Sequence, residues 1–299
     1  MKRAVSISIG TSRRDKAVEI ELLGERIRIE RIGTDGDMEK AARLFQELDG
    51  KVEAFGLGGA DLGVLVERRF YPLYSVQKMV RFVKHTPLVD GAGLKNTIES
   101  RLAPFIDARL AGRLPERRVL IPTGADRWGT AVSFARAGYE CVFGDLMFGL
   151  GLPFPLRSTD AIKRLAGILM PIAGRLPFDW IYPTGEKQEE RKPKWETYYA
   201  WASVIAGDAH YIKRHMPGLL TGKVIATNTT TDEDVELFRR AGVAALVTST
   251  PRYEGRSFGT NMMEAALVAI AGKGRVLTHP ELSEMIQRIG MEPQLQFLH

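Results

Sequence analysis

Three short apolar runs between residues 203 and 250 each end in a burst of small polar residues, and that repeated pattern organises the chain. They are Ser203-Val204-Ile205-Ala206-Gly207-Asp208, Lys223-Val224-Ile225-Ala226-Thr227-Asn228 and Ala245-Leu246-Val247-Thr248-Ser249-Thr250. Between the last two, residues 232–242 read as a helix. Val235 and Phe238 share a face, acids fill the first turn, Arg239 and Arg240 the last, and Gly242 stands at the stop. Short β-branched runs alternating with helices of this length predict parallel strands joined by crossovers. Residues 118–121, 140–143 and 178–182 have the same character, which gives six candidate strands. Strands buried on both faces need helices on both sides, so the expected fold is α/β. A doubly wound, Rossmann-like parallel sheet should fill residues 118–275.

The first third has a different rhythm. Residues 4–9, 18–22 and 27–32 alternate apolar and polar, and Leu23-Gly24-Glu25 suits a hairpin between the last two. Residues 38–48 form an amphipathic helix pattern with Ala41, Leu44, Phe45 and Leu48 on one side and Asp37 as cap. A strand at 52–57 then runs into Gly56-Leu57-Gly58-Gly59, followed by a hairpin at 63–73 and helices at 75–83 and 94–110. The expectation is a smaller mixed domain of β-β-β-α-β order over 1–112, its first strands forming a β-meander. Residues 111–118 read as a linker by their Gly, Pro and charge content. Residues 276–299 are expected to be a C-terminal helix and tail.

Composition narrows the partners. A chain of 299 residues with 44% apolar and 26% charged residues buries a large core. Net charge +6 favours a small anionic metabolite, and the strand ends are expected to open onto one positively biased crevice. The basic group Arg101, Arg109, Arg113, Arg117 and Arg118 lacks interleaved aromatics, so no nucleic-acid partner is expected. A lone Cys141 gives no disulfide framework, the N-terminus turns polar too early for a signal peptide, and no apolar stretch is long enough to span a bilayer. These features imply a soluble, cytoplasmic protein without a membrane partner and leave room for a homo-oligomer. His210 and His215 are five apart rather than four, so no metal site is expected.

Parallel sheets bind ligands at the carboxyl ends of their strands, and the candidate residues fall there. Arg252 and Arg256, with Asn261 at a helix start, read as an anion clamp, because guanidinium forks pair bidentately with carboxylate or phosphate. The alternative is a solvated loop whose arginines pair with Glu254 and Glu264. Asn228, Thr229 and Thr230 offer more hydrogen-bonding groups than the cap at Thr231-Asp232 needs, and so read as substrate-binding, with capping alone as the alternative. Lys187 and Lys95 are the candidate proton-transfer lysines, each weighed against a surface role. Asp208, a candidate catalytic residue, and Asp145, a candidate cofactor-binding residue, end strands, and each could hold a ribose hydroxyl, a substrate hydroxyl or only a neighbouring N–H. Gly56, Gly58 and Gly59 resemble a shortened nucleotide turn, although position 61 is aspartate where the longer motif has glycine.

Over nearly its whole length the chain resembles the bacterial quinate 5-dehydrogenase family. The resemblance is carried by Gly10-Thr11-Ser12-Arg13-Arg14-Asp15-Lys16, Phe143-Gly144-Asp145-Leu146-Met147-Phe148, Tyr182-Pro183-Thr184-Gly185-Glu186-Lys187-Gln188 and the block from Thr227 to Glu264. It implies an NAD(P)-dependent oxidoreductase acting on an alicyclic hydroxy acid such as quinate or shikimate. In quinate/shikimate dehydrogenases a catalytic lysine and aspartate precede a G-x-G-G-A turn. Here Gly56-Leu57-Gly58-Gly59-Ala60 precedes Lys95-Asn96-Thr97, so the order is inverted. The second reading is a non-redox binding protein or transferase that recognises a phosphorylated or carboxylated metabolite across the same strand ends.

Overall fold

The computed structural model describes residues 1–110, 112–178, 191–249, 252–253 and 256–299, with the side chains of Arg252, Tyr253, Arg256 and Ser257 outside the description. The chain is α/β and builds two sheets. The first contains β1 (Lys2–Ser8), β2 (Lys16–Leu22), β3 (Glu25–Gly33), β4 (Ala54–Gly58) and, after a hairpin β5 (Gly63–Val66) and β6 (Arg69–Pro72), β7 (Leu88–Val89). Their order is β2-β3-β1-β4-β7.

The expected hairpin forms between β2 and β3, but the expected meander does not, because β1 pairs in parallel with β3. The sequence explains why. β1 buries Ala4, Val5 and Ile7 on both of its faces and suits the middle of a sheet, whereas β2 exposes Glu19 and Glu21 and suits an edge. The loop between them is tied across β3, with Thr34 N donating to Ser8 O at 2.9 Å and Gly33 N to Asp15 Oδ1 at 2.6 Å. Helix α1 (Met38–Leu48), capped by Asp37, covers one face and sets Phe45 edge-on to Phe55 at 5.0 Å. The glycines expected as a turn lie partly in the strand, since β4 runs through Gly58.

The short α2 (Tyr74–Gln77) leads towards β7, and the chain then leaves the first sheet through α3 (Ala92–Glu99) and α4 (Leu102–Leu110). A single helix over 94–110 was expected. Pro104 has no N–H and fits only a first turn, so a new helix starts at Leu102.

The second sheet is built from β8 (Arg118–Ile121), α5 (Trp128–Arg136), β9 (Glu140–Phe143), α6 (Thr159–Ala173), α7 (Glu196–Trp201), β10 (Val204–Gly207), α8 (Ala209–His215), β11 (Val224–Thr227), α9 (Asp232–Arg240) and β12 (Ala245–Thr248). The expected strand at 178–182 lies almost wholly outside the described residues. After a hairpin of β13 (Arg252–Tyr253) and β14 (Arg256–Ser257) the chain returns to the first sheet with α10 (Thr260–Ala271) and α11 (His279–Arg288). It then crosses again, and residues expected as a tail form β15 (Gln294–Phe297), antiparallel to β12. The order β15-β12-β11-β10-β8-β9 reverses between β8 and β10. One face packs Val119, Ile121, Val204 and Ala206 against α5 and α6, and the other packs Leu120, Ile205, Ile225 and Leu246 against α8 and α9.

Helix α10 packs on the first sheet and on α3, and α3 in turn packs on α5 of the second sheet. Helix α10 is apolar almost all round, and Met262 through Ile270 are all buried, with Ala4, Ile29, Ala54 and Leu94 in the same core. A helix with that pattern needs cover on every side. β1 and β4 supply one side, and α3 and α11 the other.

Candidate functional site

Helix α3 begins at Gly91, which has φ +92° and lies so close to α10 that a Cβ there would be 2.5 Å from Asn261 N. Only glycine fits that backbone and that gap. Two acids fix the helix start. Asp90 accepts from Ala92 N at 2.9 Å and from Leu62 N at 2.7 Å, and Glu264 of α10 accepts from Leu94 N at 2.9 Å. Burial pushes the Glu264 carboxyl up to about 7, with the charge of Asp90 adding to the effect. This arrangement aims Lys95 and Glu99 at the carboxyl ends of the second sheet.

There the turn after β8 supplies Asp126 and Arg127. Lys95 Nζ lies 3.4 Å from Asp126 Oδ1, and the two side chains are 14% and 41% exposed. Burial alone would depress the Lys95 pKa, but the charges of Asp126 and Asp61 outweigh it and the pKa is raised. Burial likewise opposes ionisation of Asp126, and Lys95 and Arg127 overcome it, so the Asp126 pKa is lowered. The pair is therefore an ammonium beside a carboxylate, open on one side to solvent.

Arg127, only 8% exposed, is the hub. It donates to Glu99 Oε1 at 2.7 Å and to Asp208 Oδ2 at 2.5 Å, and its Nε lies 3.2 Å from Asp126 Oδ2. Glu99 also accepts from Thr130 Oγ1 at 2.8 Å. Asp208 caps α8 by accepting from His210 N at 2.9 Å, and it accepts from Asn228 Nδ2 at 2.8 Å. Asn228 Oδ1 in turn accepts from Ala209 N at 3.1 Å. One network thus ties α3 to the ends of β8, β10 and β11, at the point where the strand order reverses. Doubly wound sheets bind ligands at such a point. Tyr211 faces the same charges: burial raises its pKa, and Asp126, Asp208 and Asp145 add to that.

The candidates named from sequence divide between several places. Lys95, Asp208 and Asn228 meet in this network, with Asp145 beside it. Asp145 accepts from Gly124 N at 3.0 Å and Ala125 N at 2.8 Å, and burial pushes its carboxyl up to about 6. Gly56, Gly58 and Asn261 come together on the first sheet, where Asn261 Nδ2 donates to Ser6 Oγ at 2.6 Å. A Cβ on Gly56 would lie 2.8 Å from Asn261 O, one on Gly58 2.8 Å from Ser8 Cβ, and one on Gly59 2.7 Å from Ile9 Cγ2. The chain itself fills the space these glycines leave. Thr229 is exposed, and Thr230 lines a separate surface hollow of about 300 Å³ with Thr248 and Gln294. The cap of α9 is Thr231, in a reciprocal capping box with Asp234. Lys187 and the side chains of Arg252 and Arg256 lie outside the described residues, and of those arginines only the backbone pairing between β13 and β14 is described.

Sequence reading missed Asp61, Glu99, Asp126, Arg127 and Tyr211. The signal for two of them was in view, since Asp126 and Arg127 lie in the turn that follows the strand expected at 118–121. The others depend on how α3 and α8 pack. Around Lys95 the described acids, Asp61, Glu99, Asp126, Asp145 and Asp208, outnumber the described bases, so the positive bias expected of the crevice is not supplied by the described residues. Among the described residues no group of His, Cys, Asp and Glu has metal-site geometry, and no helix is long and apolar enough to cross a membrane.

Residues 93–298 match the model of a domain of unknown function (DUF8754), and the chain belongs to that family. Residues 3–90 match a second domain of unknown function (DUF8753). A comparison with curated proteins gives no match. Among solved structures, similarity extends to a malic enzyme of Entamoeba histolytica, at 12% identity and TM-score 0.37 over 85% of this chain. It extends also to a periplasmic ribose ABC transporter protein of Conexibacter woesei, at 10% identity and TM-score 0.40 over 96% of this chain and 94% of that one. A glucose-galactose binding protein of Geobacillus stearothermophilus gives 11% identity and TM-score 0.36 over 99% and 97% of the two chains. The chain spans 53% of the Entamoeba malic enzyme and 65% of another malic enzyme. Similarities this distant carry no argument about activity.

Proposed function

We propose that this member of the DUF8754 family binds a small hydroxylated metabolite where α3 meets the strand ends of the second sheet. Lys95 and Asp126 then exchange a proton with one of its oxygens. The observation that carries this reading is the Lys95–Asp126 pair itself, an ammonium 3.4 Å from a carboxylate that is 41% exposed. A carboxylate that stays ionised can accept a hydroxyl proton, and the adjacent ammonium can steady the oxygen that loses it. Arg127, fixed between buried Glu99 and half-buried Asp208, holds Asp126 in place.

The reaction that the family resemblance implies for this pair is oxidation of an alicyclic hydroxy acid such as quinate or shikimate. A lysine beside an aspartate is what the quinate/shikimate dehydrogenase resemblance implies. NAD or NADP would supply the redox chemistry. The described glycine turns do not fit its pyrophosphate, because Asn261, Ser8 and Ile9 fill the space at Gly56, Gly58 and Gly59. The same filling favours the second reading, a non-redox binding protein or a transferase acting at a hydroxyl.

A thermal-shift series with quinate, shikimate, NAD and NADP, read beside absorbance of the reduced cofactor, separates the two. Stabilisation by quinate or shikimate together with cofactor reduction supports the dehydrogenase. Stabilisation by a hydroxylated metabolite without cofactor reduction supports the non-redox reading. No response from wild type to any hydroxylated acid or cyclitol, or an equal response from Lys95→Met, ends the proposal.

A further inference from the structure

Doubly wound sheets receive ligand anions at the turn that follows the strand at their switch point, on backbone N–H groups left free there. In this chain that turn follows β8, and its two successive amides are already taken. Asp145 Oδ2 accepts from Gly124 N at 3.0 Å, and Oδ1 accepts from Ala125 N at 2.8 Å. The carboxylate spans both donors, as a bound phosphate or carboxylate would.

The surroundings are built for this contact. Asp145 opens a π-helical turn over Asp145–Gly149, and the residue before it, Gly144, packs so closely that a Cβ would fall 2.4 Å from the Phe148 ring. A Cβ on Gly124 would come to 3.2 Å from Asp145 Oδ2 and 2.7 Å from Ile162 Cδ1. Glycine at both positions lets the aspartate reach the amides. Beside them, the buried Thr123 hydroxyl has no hydrogen-bond partner. Asp126, next along the turn, adds a second negative charge close to Asp145. An arriving phosphate would find both donors occupied and the Asp145 carboxylate standing where it would bind.

We propose that Asp145 is a built-in anion that closes this nest, so that the cleft takes unphosphorylated ligands such as hydroxylated carbocyclic acids and free polyols. Sugar phosphates and dinucleotides are excluded from the turn. The inference rests on the cleft being the ligand site, but its test does not use the cleft's own ligand.

The experiment measures melting temperature against inorganic phosphate, and against NAD, at matched ionic strength. It uses wild type, Asp145→Ala and Asp145→Asn, with folding checked by circular dichroism. Wild type should not respond to either probe. Asp145→Ala should acquire a saturable stabilisation by millimolar phosphate, reduced when Thr123→Val is added. Asp145→Asn keeps an acceptor for one amide and should gain less; if the alanine variant does not fold, any phosphate response of the asparagine variant above that of wild type carries the test. The inference is overturned if phosphate or NAD stabilises wild type and Asp145→Ala equally, or if the folded variants gain nothing. A separate titration of Lys95→Met with quinate or shikimate bears on the cleft alone, so failure of one reading is not mistaken for failure of the other.

Discussion

Replacing Arg127 with Met removes the hub while filling much of its volume. Arg127 and Glu99 are 8% and 3% exposed and Asp208 is 18% exposed, so both carboxylates lose their cationic partner in surroundings that water barely reaches. Each loses one charge-assisted bond, at 2.7 Å and 2.5 Å. Such bonds contribute about 1.5–3 kcal/mol apiece. Glu99 retains Thr130, and Asp208 retains Asn228 and the α8 amides, which holds the loss below complete desolvation of two charges. The contact to Asp126 counts little, because that side chain is 41% exposed. The expected cost is about 3–5 kcal/mol, the range found when one partner of a buried pair is deleted. In a thermal melt this is a drop on the order of 10 °C. Adding Glu99→Gln to Arg127→Met should restore about 1–2 kcal/mol by neutralising the orphaned carboxylate. Urea unfolding of both variants beside wild type gives the numbers. If Arg127→Met unfolds within about 1 kcal/mol of wild type, the network is not what joins α3 to the sheet.

Three further perturbations follow from the same geometry. Glu264, pushed up to about 7, binds its proton more tightly when folded than when unfolded, so its contribution is complete in acid and lost as pH rises through 7. Wild type should therefore lose about 3 kcal/mol relative to Glu264→Gln between pH 5 and 8, by urea titration; parallel pH profiles would show that this carboxyl is not perturbed. Gly91→Ala must accommodate φ +92° and a Cβ 2.5 Å from Asn261 N, so it should destabilise by more than 2 kcal/mol (roughly) and displace Lys95, weakening any ligand response; a neutral effect would show that α3 is not held there. Thr231→Ala removes one half of a reciprocal cap and should cost about 1 kcal/mol without altering ligand response, whereas loss of ligand binding would show that Thr231 does more than cap the helix.

Much of the frame was legible in the sequence because it is local. The runs at 204–207, 224–227 and 245–248 carry their own periodicity, and the caps at Asp37 and Thr231 are written in neighbouring residues. The partner of β1 was not legible, since a hairpin signal fixes β2 against β3 and says nothing about which of them β1 joins. The role of α10 was hidden for a similar reason. Its apolar surface announces a buried helix but not which sheet buries it. Lys95, Asp208 and Asn228 were found as strand-end or helix-start polar residues. Asp126 and Arg127 escaped because their meaning comes from Lys95 and Glu99, about thirty residues earlier in the chain, across a contact that only the packing of α3 on α5 creates. Gly56 and Gly58 looked like room for a ligand; the room is taken by Asn261, some two hundred residues on.

Calorimetric titration of wild type, Lys95→Met and Asp126→Asn with quinate, shikimate and a set of unphosphorylated polyols tests the central claim most directly. At least one of these compounds should bind wild type, and both variants, folded by circular dichroism, should bind it at least about tenfold more weakly, the loss of a single charge-assisted contact. A compound that binds wild type and both variants with the same affinity would place the ligand away from Lys95 and Asp126 and contradict the account.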